Sequence, residues 1–424
     1  MTAGRTVAVI GGGWAGLAAA VEATRLGHQV TLSEMSAQLG GRARGVAVAG
    51  TVLDNGQHIM IGAYASTLAL MRTVGVDVAQ VFERTPLRIT YPEGSGLQLE
   101  PGAPMLAFAV AVLRLRSWRW RERLALLAGA TGWALRGFRC AAALTVAELC
   151  ASLPRTVREE LIDPLCVAAL NTASTEASAS VFLRVLKDAL FSGPGSADLL
   201  LPRANLGELL PEPAARWLTG SGARLQLSKR TSRLAADGER WRVDGLEFDR
   251  VVLATPPGEA ARLVETIAPG WAQDCAALRY EPIVTVYLRS AGTQLPEPML
   301  ALRADPHAPA QFVFDRGRLG GEQGLLAFVI SGAQAWVDAG QEATLQATLA
   351  QARSALGKHL RAPLEVVQLL AEKRATFRCT PGLKRSPMSI APGLFAAGDH
   401  VIGPYPATIE GAVRSGIAAA KALA

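Results

Sequence analysis

Residues 5–34 read strand, glycine turn, helix, strand and acid: RTVAVI, GGGWAG, LAAAVEATRLG and HQVTLSE. The glycines fall at Gly11, Gly13 and Gly16, with Trp14 and Ala15 between the last two, and Glu34 closes the second strand. At such spacing the first glycine makes a tight turn and the second lets a pyrophosphate approach the backbone. The third packs helix against strand, and the acid binds a ribose hydroxyl. Free N–H groups at the helix start, with their partial positive charge, hold the phosphates. The chemistry this pattern serves is dinucleotide binding.

Three other places carry groups of chemical use. Leu39-Gly40-Gly41-Arg42 is a second glycine doublet followed by a cation, which a simple nicotinamide domain does not need. LFAAGDHVIGPYPATIEGAVRSGIAAAKAL (394–423) reads as a buried strand, a turn at Gly398 and Asp399, a short loop and a terminal helix. Between them, VLDNGQHIMIGAY (52–64) sets an Asn-Gly turn and His58 directly before an apolar run. An imidazole there titrates near neutrality and can give or take a proton.

The chain that must position these groups has 424 residues, half of them hydrophobic, enough for a large core and two or three domains. Its net charge is +7 and its pI about 9.4, carried by arginine far more than lysine. The basic residues are dispersed outside one segment and no recognised nucleic-acid module occurs, so nucleic acid is not an expected partner. Five cysteines form no CxxC pair, which argues against a disulfide framework or a zinc site, and no metal is expected. A reducing, cytoplasmic setting fits this cysteine usage. The N-terminus passes straight into a strand and glycine turn, unlike an export signal. No apolar stretch has the length of a spanning helix.

The GGR clamp after a βαβ start, with a Gly-Asp turn before a terminal helix, resembles the FAD site of the amine oxidase and phytoene desaturase superfamily. Three segments narrow the resemblance to the hydroxysqualene dehydroxylases of bacterial squalene and hopanoid biosynthesis: DNGQHIMIGAYASTLALMRTVG (54–75), LCVAALNTASTEASASVFLRVL (165–186) and GPYPATIEGAVRSG (403–416). Together they span nearly the whole chain.

The resemblance implies an α/β fold, with a discontinuous Rossmann-type FAD-binding domain of the glutathione reductase and amine oxidase type and an α+β substrate domain. It assigns Gly11, Gly13, Trp14, Ala15, Gly16 and Glu34 to the nucleotide half of FAD, and Gly40, Gly41 and Arg42 to a second clamp. Asp399, after Gly398, accepts a hydrogen bond from the ribityl chain. The backbone of Glu410, Gly411 and Ala412 faces the flavin, where a helix N-terminus stabilises negative charge on the reduced ring. Thr231 touches the adenine side through its backbone, and the strand of Gly56, Gln57 and His58 runs along the flavin.

The family's reaction replaces the hydroxyl of a long allylic isoprenoid alcohol with a hydride from reduced FAD. Two roles suit His58: acid for the departing hydroxide, or a hydrogen-bonding group that only positions the cofactor. Gln57 and Asn171 either steer the substrate hydroxyl or serve as core-bonded amides. Tyr405 either lies over the flavin edge or simply packs. A carotenoid-type desaturase or polyene isomerase would use the same motifs, and the fold also serves in prenyl-binding escort proteins without redox chemistry. A separate electron donor is expected, since no second strand-preceded GxGxxG occurs.

Because the cofactor motifs sit at both ends and in the middle, the FAD domain is expected over 1–60, 205–260 and 376–424, and the substrate domain over 61–204 and 261–375. Helical periodicity covers 66–82 and 103–192. Residues 222–257 alternate as short antiparallel strands turning at Asp237 and Gly238. Residues 282–290, 310–317 and 324–331 read as strands of one sheet, with a helix following at 341–359. Between 114 and 139 stand Arg114, Arg116, Arg119, Arg121, Arg123, Arg136 and Arg139, interleaved with Trp118, Trp120 and Trp133. That composition suits peripheral contact with an anionic membrane on its cytoplasmic face, or a helix whose arginines merely lie in water.

Overall fold

The computed structural model describes residues 4–48 and 50–423. β1 (Thr6–Ile10), α1 (Trp14–Arg25) and β2 (Gln29–Ser33) form the strand–turn–helix–strand start, with β1 and β2 parallel. A six-stranded sheet grows around them in the order Arg224–Gln226, β2, β1, Arg250–Leu253, Leu394–Ala396 and Ser389–Ala391. Every neighbouring pair is parallel except the last. Both ends of the chain and its middle therefore share one sheet, as motifs so far apart in sequence require.

Residues 222–257 divide between two sheets. Leu234–Asp237, Arg240–Val243 and Leu246–Phe248 form the expected antiparallel excursion. Arg224–Gln226 instead pairs in parallel with β2. Three alternating residues carry no signal of which partner they take.

α1 is alanine-rich on the face it turns to the terminal helix, Ile409–Lys421. A Cβ built on Gly416 of that helix would stand 2.1 Å from the Ala15 carbonyl oxygen and 3.0 Å from Ala18 Cβ. Small residues on both sides thus let the first and last helices of the chain cross almost backbone to backbone.

A second sheet is antiparallel, in the order Met299–Ala301, Phe312–Asp315, Leu325–Ile330, Tyr280–Arg289, Glu365–Phe377. Its alternation is clean. Leu326, Phe328 and Ile330 pack with helix Gln341–Leu356, while Leu325, Ala327 and Val329 join the core of the helices between 104 and 191. With both faces covered, its central strands read as unbroken apolar runs. Leu68, Leu70 and Met71 of helix Ala65–Thr73 share one apolar cluster with α1 and the terminal helix.

The helical expectations hold with breaks. Helix Ala65–Thr73 stops at Gly75, which takes a left-handed φ of 86°, and the segment ends in strand Phe82–Thr85. Residues 103–192 resolve into several helices, the longest being Pro104–Arg114, Trp120–Leu135 and Ala179–Phe191. Strands Met299–Ala301 and Glu365–Phe377 lie outside the segments that sequence periodicity marked.

Candidate cofactor and active site

The two glycine turns lie against each other. Gly11 has φ 106°, and a Cβ on it would come within 2.5 Å of the Ala254 carbonyl oxygen. A Cβ on Gly16 would meet the Gly11 carbonyl oxygen at 1.9 Å. Gly40 donates its N–H to the Gly12 carbonyl at 2.9 Å, and both Gly40 (φ 111°) and Gly41 (φ 61°) occupy the left-handed region that L side chains resist. Trp14 adds a side-chain tie, its indole N–H donating to the Ala43 carbonyl at 3.0 Å. No side chain caps α1, so the N–H groups of its first turn, from Trp14, Ala15 and Gly16, remain for an anion.

Glu34 is buried at the far lip of the turn. Its carboxylate accepts from the Gly12 N–H at 2.7 Å and the Ser36 N–H at 2.8 Å. Lys229 donates its N–H to the Glu34 carbonyl at 2.8 Å, which brings the segment of Thr231 to the same end. The Thr231 carbonyl accepts from Arg262 at 3.0 Å, and its own buried hydroxyl has no partner among the described residues.

The motif at the other end of the chain meets the GGR turn directly. Arg42 donates to Asp399 at 2.7 Å and to the Ala375 carbonyl at 2.8 Å. Burial opposes the guanidinium charge, but Asp399 outweighs it and holds the Arg42 pKa above its usual value. The Arg42 side chain keeps 34% of its surface accessible. Gly398 must lack a side chain, because a Cβ there would lie 2.4 Å from the His400 ring.

At the terminal helix, Thr408 takes the Gly411 N–H at 3.0 Å, and its carbonyl takes the Ala412 N–H at 3.0 Å. Two of the three backbone donors expected for the cofactor, Gly411 and Ala412, are thus spent in a cap and a helical turn. Glu410 keeps its N–H free among the described residues. Its buried carboxylate has a separate task that sequence reading missed: it accepts from Ser66 N–H at 3.1 Å, Thr67 N–H at 2.9 Å and Thr67 hydroxyl at 2.7 Å, capping helix Ala65–Thr73.

The segment between the motifs is held at several points. His58 Nδ1 lies 2.6 Å from the Gly56 carbonyl, an acceptor, so Nδ1 carries the hydrogen. Burial lowers the His58 pKa, the Gly56 and Asp54 contributions only partly opposing it. At pH 7 the ring is neutral and Nε2 is a lone pair. Gln57 is buried with its carbonyl oxygen 3.3 Å from Arg316, which also donates to the Pro202 carbonyl at 3.2 Å. Arg316 lies 4.0 Å from Asp54, whose carboxylate takes the Leu206 N–H at 2.8 Å and whose carbonyl takes the Tyr287 hydroxyl at 2.9 Å. Burial pushes the Asp54 pKa up. Arg316, Asp54 and Tyr287 were not singled out in the sequence, where each reads as a residue of an apolar strand or its end.

Asn171 ends helix Asp163–Leu170 in the left-handed region, φ 47°. Its amide donates to the Glu281 carbonyl at 3.1 Å and the Thr376 hydroxyl at 2.9 Å, and accepts from Gly332 N–H at 2.7 Å. That amide is a bolt between helix and sheet, with both of its N–H bonds spent. Tyr405 sits between two guanidinium groups, Arg184 at 5.2 Å and Arg414 at 5.0 Å from its ring, and Arg184 lies 3.5 Å from its hydroxyl.

Residues 14–424 match the family described as flavin containing amine oxidoreductase. The chain belongs to that family. It is 30% identical over 440 residues to hydroxysqualene dehydroxylase of Rhodopseudomonas palustris, covering 98% of this chain and 97% of the relative. The corresponding protein of Sinorhizobium fredii is 28% identical over the same shares, and 15-cis-phytoene desaturase of Synechococcus elongatus is 23% identical over 98% and 95%. Cyclohexylamine oxidase from Brevibacterium oxydans shares the fold, with TM-score 0.69 at 19% identity over 99% of this chain and 98% of that one.

The flavoenzyme's cofactor is FAD, and the cradle fits it. A Cβ on Gly13 would meet nothing nearer than Gly41 Cα at 3.9 Å, so the turn opens onto free space where a pyrophosphate is expected. The uncapped α1 would supply it N–H donors, Glu34 a carboxylate for a ribose hydroxyl, and the Arg42–Asp399 pair a charged wall. Bound FAD supplies a site that stores and releases a hydride. As a redox flavoenzyme, the chain is not a prenyl-binding escort without redox chemistry.

Proposed function

We propose that this flavoenzyme converts hydroxysqualene to squalene. The carbon–oxygen bond breaks with its electron pair going to oxygen, a hydride and a proton from reduced FAD complete squalene and water, and oxidised FAD remains. The observation that carries the reading is the near end-to-end similarity to hydroxysqualene dehydroxylase, 30% identical over 98% of the chain. A phytoene-type desaturation, with electrons flowing the other way, is the second reading, favoured by the full-length 23% similarity to 15-cis-phytoene desaturase. Anaerobic mixing of pre-reduced enzyme with hydroxysqualene tests the first. Return of the oxidised flavin spectrum with formation of squalene supports it. Reduced enzyme that stays reduced, while oxidised enzyme bleaches with phytoene, overturns it in favour of the second.

An isoprenoid lipid substrate calls for a route from the bilayer, and we infer that helices Pro104–Arg114 and Trp120–Leu135 rest on an anionic membrane surface. Their exposed side chains include Met105, Leu106, Leu113, Leu124, Trp120 (62% exposed) and Leu135 (84%), with Arg114 and Arg123 close by. Such a face suits an interfacial helix. Trp118 and Trp133 do not belong to it. Both are buried, and the Trp118 indole donates to Glu160 at 2.8 Å, because a core under the helices takes the larger aromatic surface. Among the described residues no helix is long and apolar enough to cross a membrane. Flotation with liposomes containing anionic lipid tests the contact: charge reversal at Arg114, Arg119 and Arg123 should abolish it, and flotation equal to the parent would overturn it. Electrons reach the flavin, in this reading, from a separate cytoplasmic donor.

A further inference from the structure

We propose that a cavity beside the turn between helices Pro104–Arg114 and Trp120–Leu135 takes the primary ammonium of an ethanolamine phosphodiester headgroup. The site rests on the membrane contact inferred above and says which lipid that contact selects. The cavity, about 60 Å³, lies where four parts of the chain meet: the hairpin of strands Arg88–Thr90 and Gly96–Gln98, the turn joining the two helices, the π-helical turn Arg158–Ile162, and Arg303. One wall, from Leu115, Ser117 and Trp118, is the same turn that carries exposed Arg116 and Arg119. Arg123 braces this turn, donating to the Leu113 carbonyl at 2.8 Å and the Trp118 carbonyl at 3.1 Å. The cavity is thereby fixed beside the surface that meets lipid.

Apolar side chains of Ile89, Leu97 and Leu161 line part of the cavity, and its two charged side chains, Glu160 and Arg303, have opposite signs. Glu160 accepts the Trp118 indole N–H through Oε2 at 2.8 Å, and its Oε1 takes no hydrogen bond among the described residues. Arg303 lies over the Tyr91 ring, 4.6 Å from its centroid, and donates to Glu93 at 2.8 Å. A surface built only to attract anionic lipid has no use for an acid among its arginines, because the acid repels phosphate. A headgroup that carries a cation as well as a phosphate gives Glu160 a partner.

Size and donor count choose the cation. The cavity holds roughly five waters, enough for an aminomethyl end and not for a whole headgroup. The phosphodiester therefore stays at the mouth, where the Arg303 guanidinium is exposed. A primary ammonium donates to Glu160 Oε1 in a charge-assisted hydrogen bond, which a quaternary ammonium, having no N–H, cannot form. A quaternary ammonium needs an open aromatic face instead. The Tyr91 face is already covered by Arg303, and Trp118 is buried. Ethanolamine rather than choline is thus the headgroup that this cavity recognises.

The test is flotation of the FAD-loaded enzyme with two sets of vesicles of equal anionic-lipid content, one completed with phosphatidylethanolamine and the other with phosphatidylcholine. The parent should bind the first set on the order of 10-fold more tightly, the worth of one hydrogen bond to a charged group. Glu160→Gln keeps an oxygen for the Trp118 indole but loses the charge, so it should bind both sets alike while retaining the parent's FAD content. Ser117→Tyr, at an exposed position on the rim, fills the cavity from outside and should remove the preference too. Equal binding of both sets by the parent overturns the site and leaves the membrane contact standing. A preference that survives in either variant marks a response to bilayer packing and overturns the site as well. A parent that floats with neither set overturns the membrane contact, and this site with it.

Discussion

The cofactor cradle and the apolar body that joins the second sheet to the helices between 104 and 191 are built under different tolerances. In the cradle, backbone meets backbone: added Cβ atoms would fall 1.9 Å from a carbonyl at Gly16, 2.5 Å at Gly11 and 2.1 Å at Gly416. In the apolar body, side chains from strands 280–289, 312–315 and 365–377 and from the helices between 104 and 191 meet through close packing. Packing of that kind accepts many residue combinations of similar volume. Backbone contact accepts one residue type, and so leaves a mark at fixed spacing.

The largest expected effect tests the strict half. Gly16→Ala forces α1 away from the Gly11 turn, because neither the Cβ nor the carbonyl oxygen it meets at 1.9 Å can rotate aside. The strain, about 3 kcal/mol or more, falls where α1 offers its first-turn N–H groups. The variant should purify colourless and fail to take up added FAD, read from flavin absorbance after gel filtration. A yellow Gly16→Ala protein of normal FAD content would break the contrast, since the cradle would then be as forgiving as the apolar body.

The same contrast explains what could be read in advance. The βαβ start, the GGR clamp, the Gly-Asp turn and the terminal helix stand where expected because glycines and caps fix them locally. So do the strands at 282–290 and 324–331, whose length and β-branched content outweigh any helical reading. Strand Glu365–Phe377 escaped because it is an edge strand with many part-exposed positions and two register shifts against its neighbour, which blur the alternation. The Asp54–Arg316–Tyr287 group escaped because its members lie on three separate elements and have no spacing to recognise. Gly411 and Ala412 were assigned to the flavin as a set, but capping by Thr408 depends on a hydroxyl rotamer that sequence does not reveal.

The apolar body has one strict point of its own, Asn171. Asn171→Ala removes three hydrogen bonds, leaves the Gly332 N–H without its acceptor, and puts a Cβ without a polar tip at φ 47°. At about 1 kcal/mol for each bond, plus the orphaned donor, the loss should be roughly 3–4 kcal/mol of unfolding free energy. Urea unfolding measures it. FAD content of the folded fraction should stay normal, because Asn171 bolts helix Asp163–Leu170 to the second sheet and touches nothing in the cradle. Loss of FAD with unchanged stability would move Asn171 back to the cofactor site and erase the division between the two regions.

Acid sharpens the division with the smallest of the three effects. His400, buried beneath the Gly398–Asp399 turn, has its pKa depressed to about 4 by burial, with Asp399 opposing and Arg42 and Arg385 reinforcing the shift. In the unfolded chain the imidazole titrates at about 6.5. The unfolded state therefore binds the proton first, and stability falls as pH drops from about 6.5 to about 4, with the full contribution present above that window. The span corresponds to at most roughly 3 kcal/mol. Asp54, whose pKa burial raises, contributes with the opposite sign and gains stability on acidification. The cradle should then loosen before the second sheet does, releasing FAD fluorescence at a pH where far-ultraviolet ellipticity is still intact. His400→Gln should flatten the FAD release curve across this window. An unchanged curve in that variant would mean that another group carries the acid sensitivity of the cofactor site.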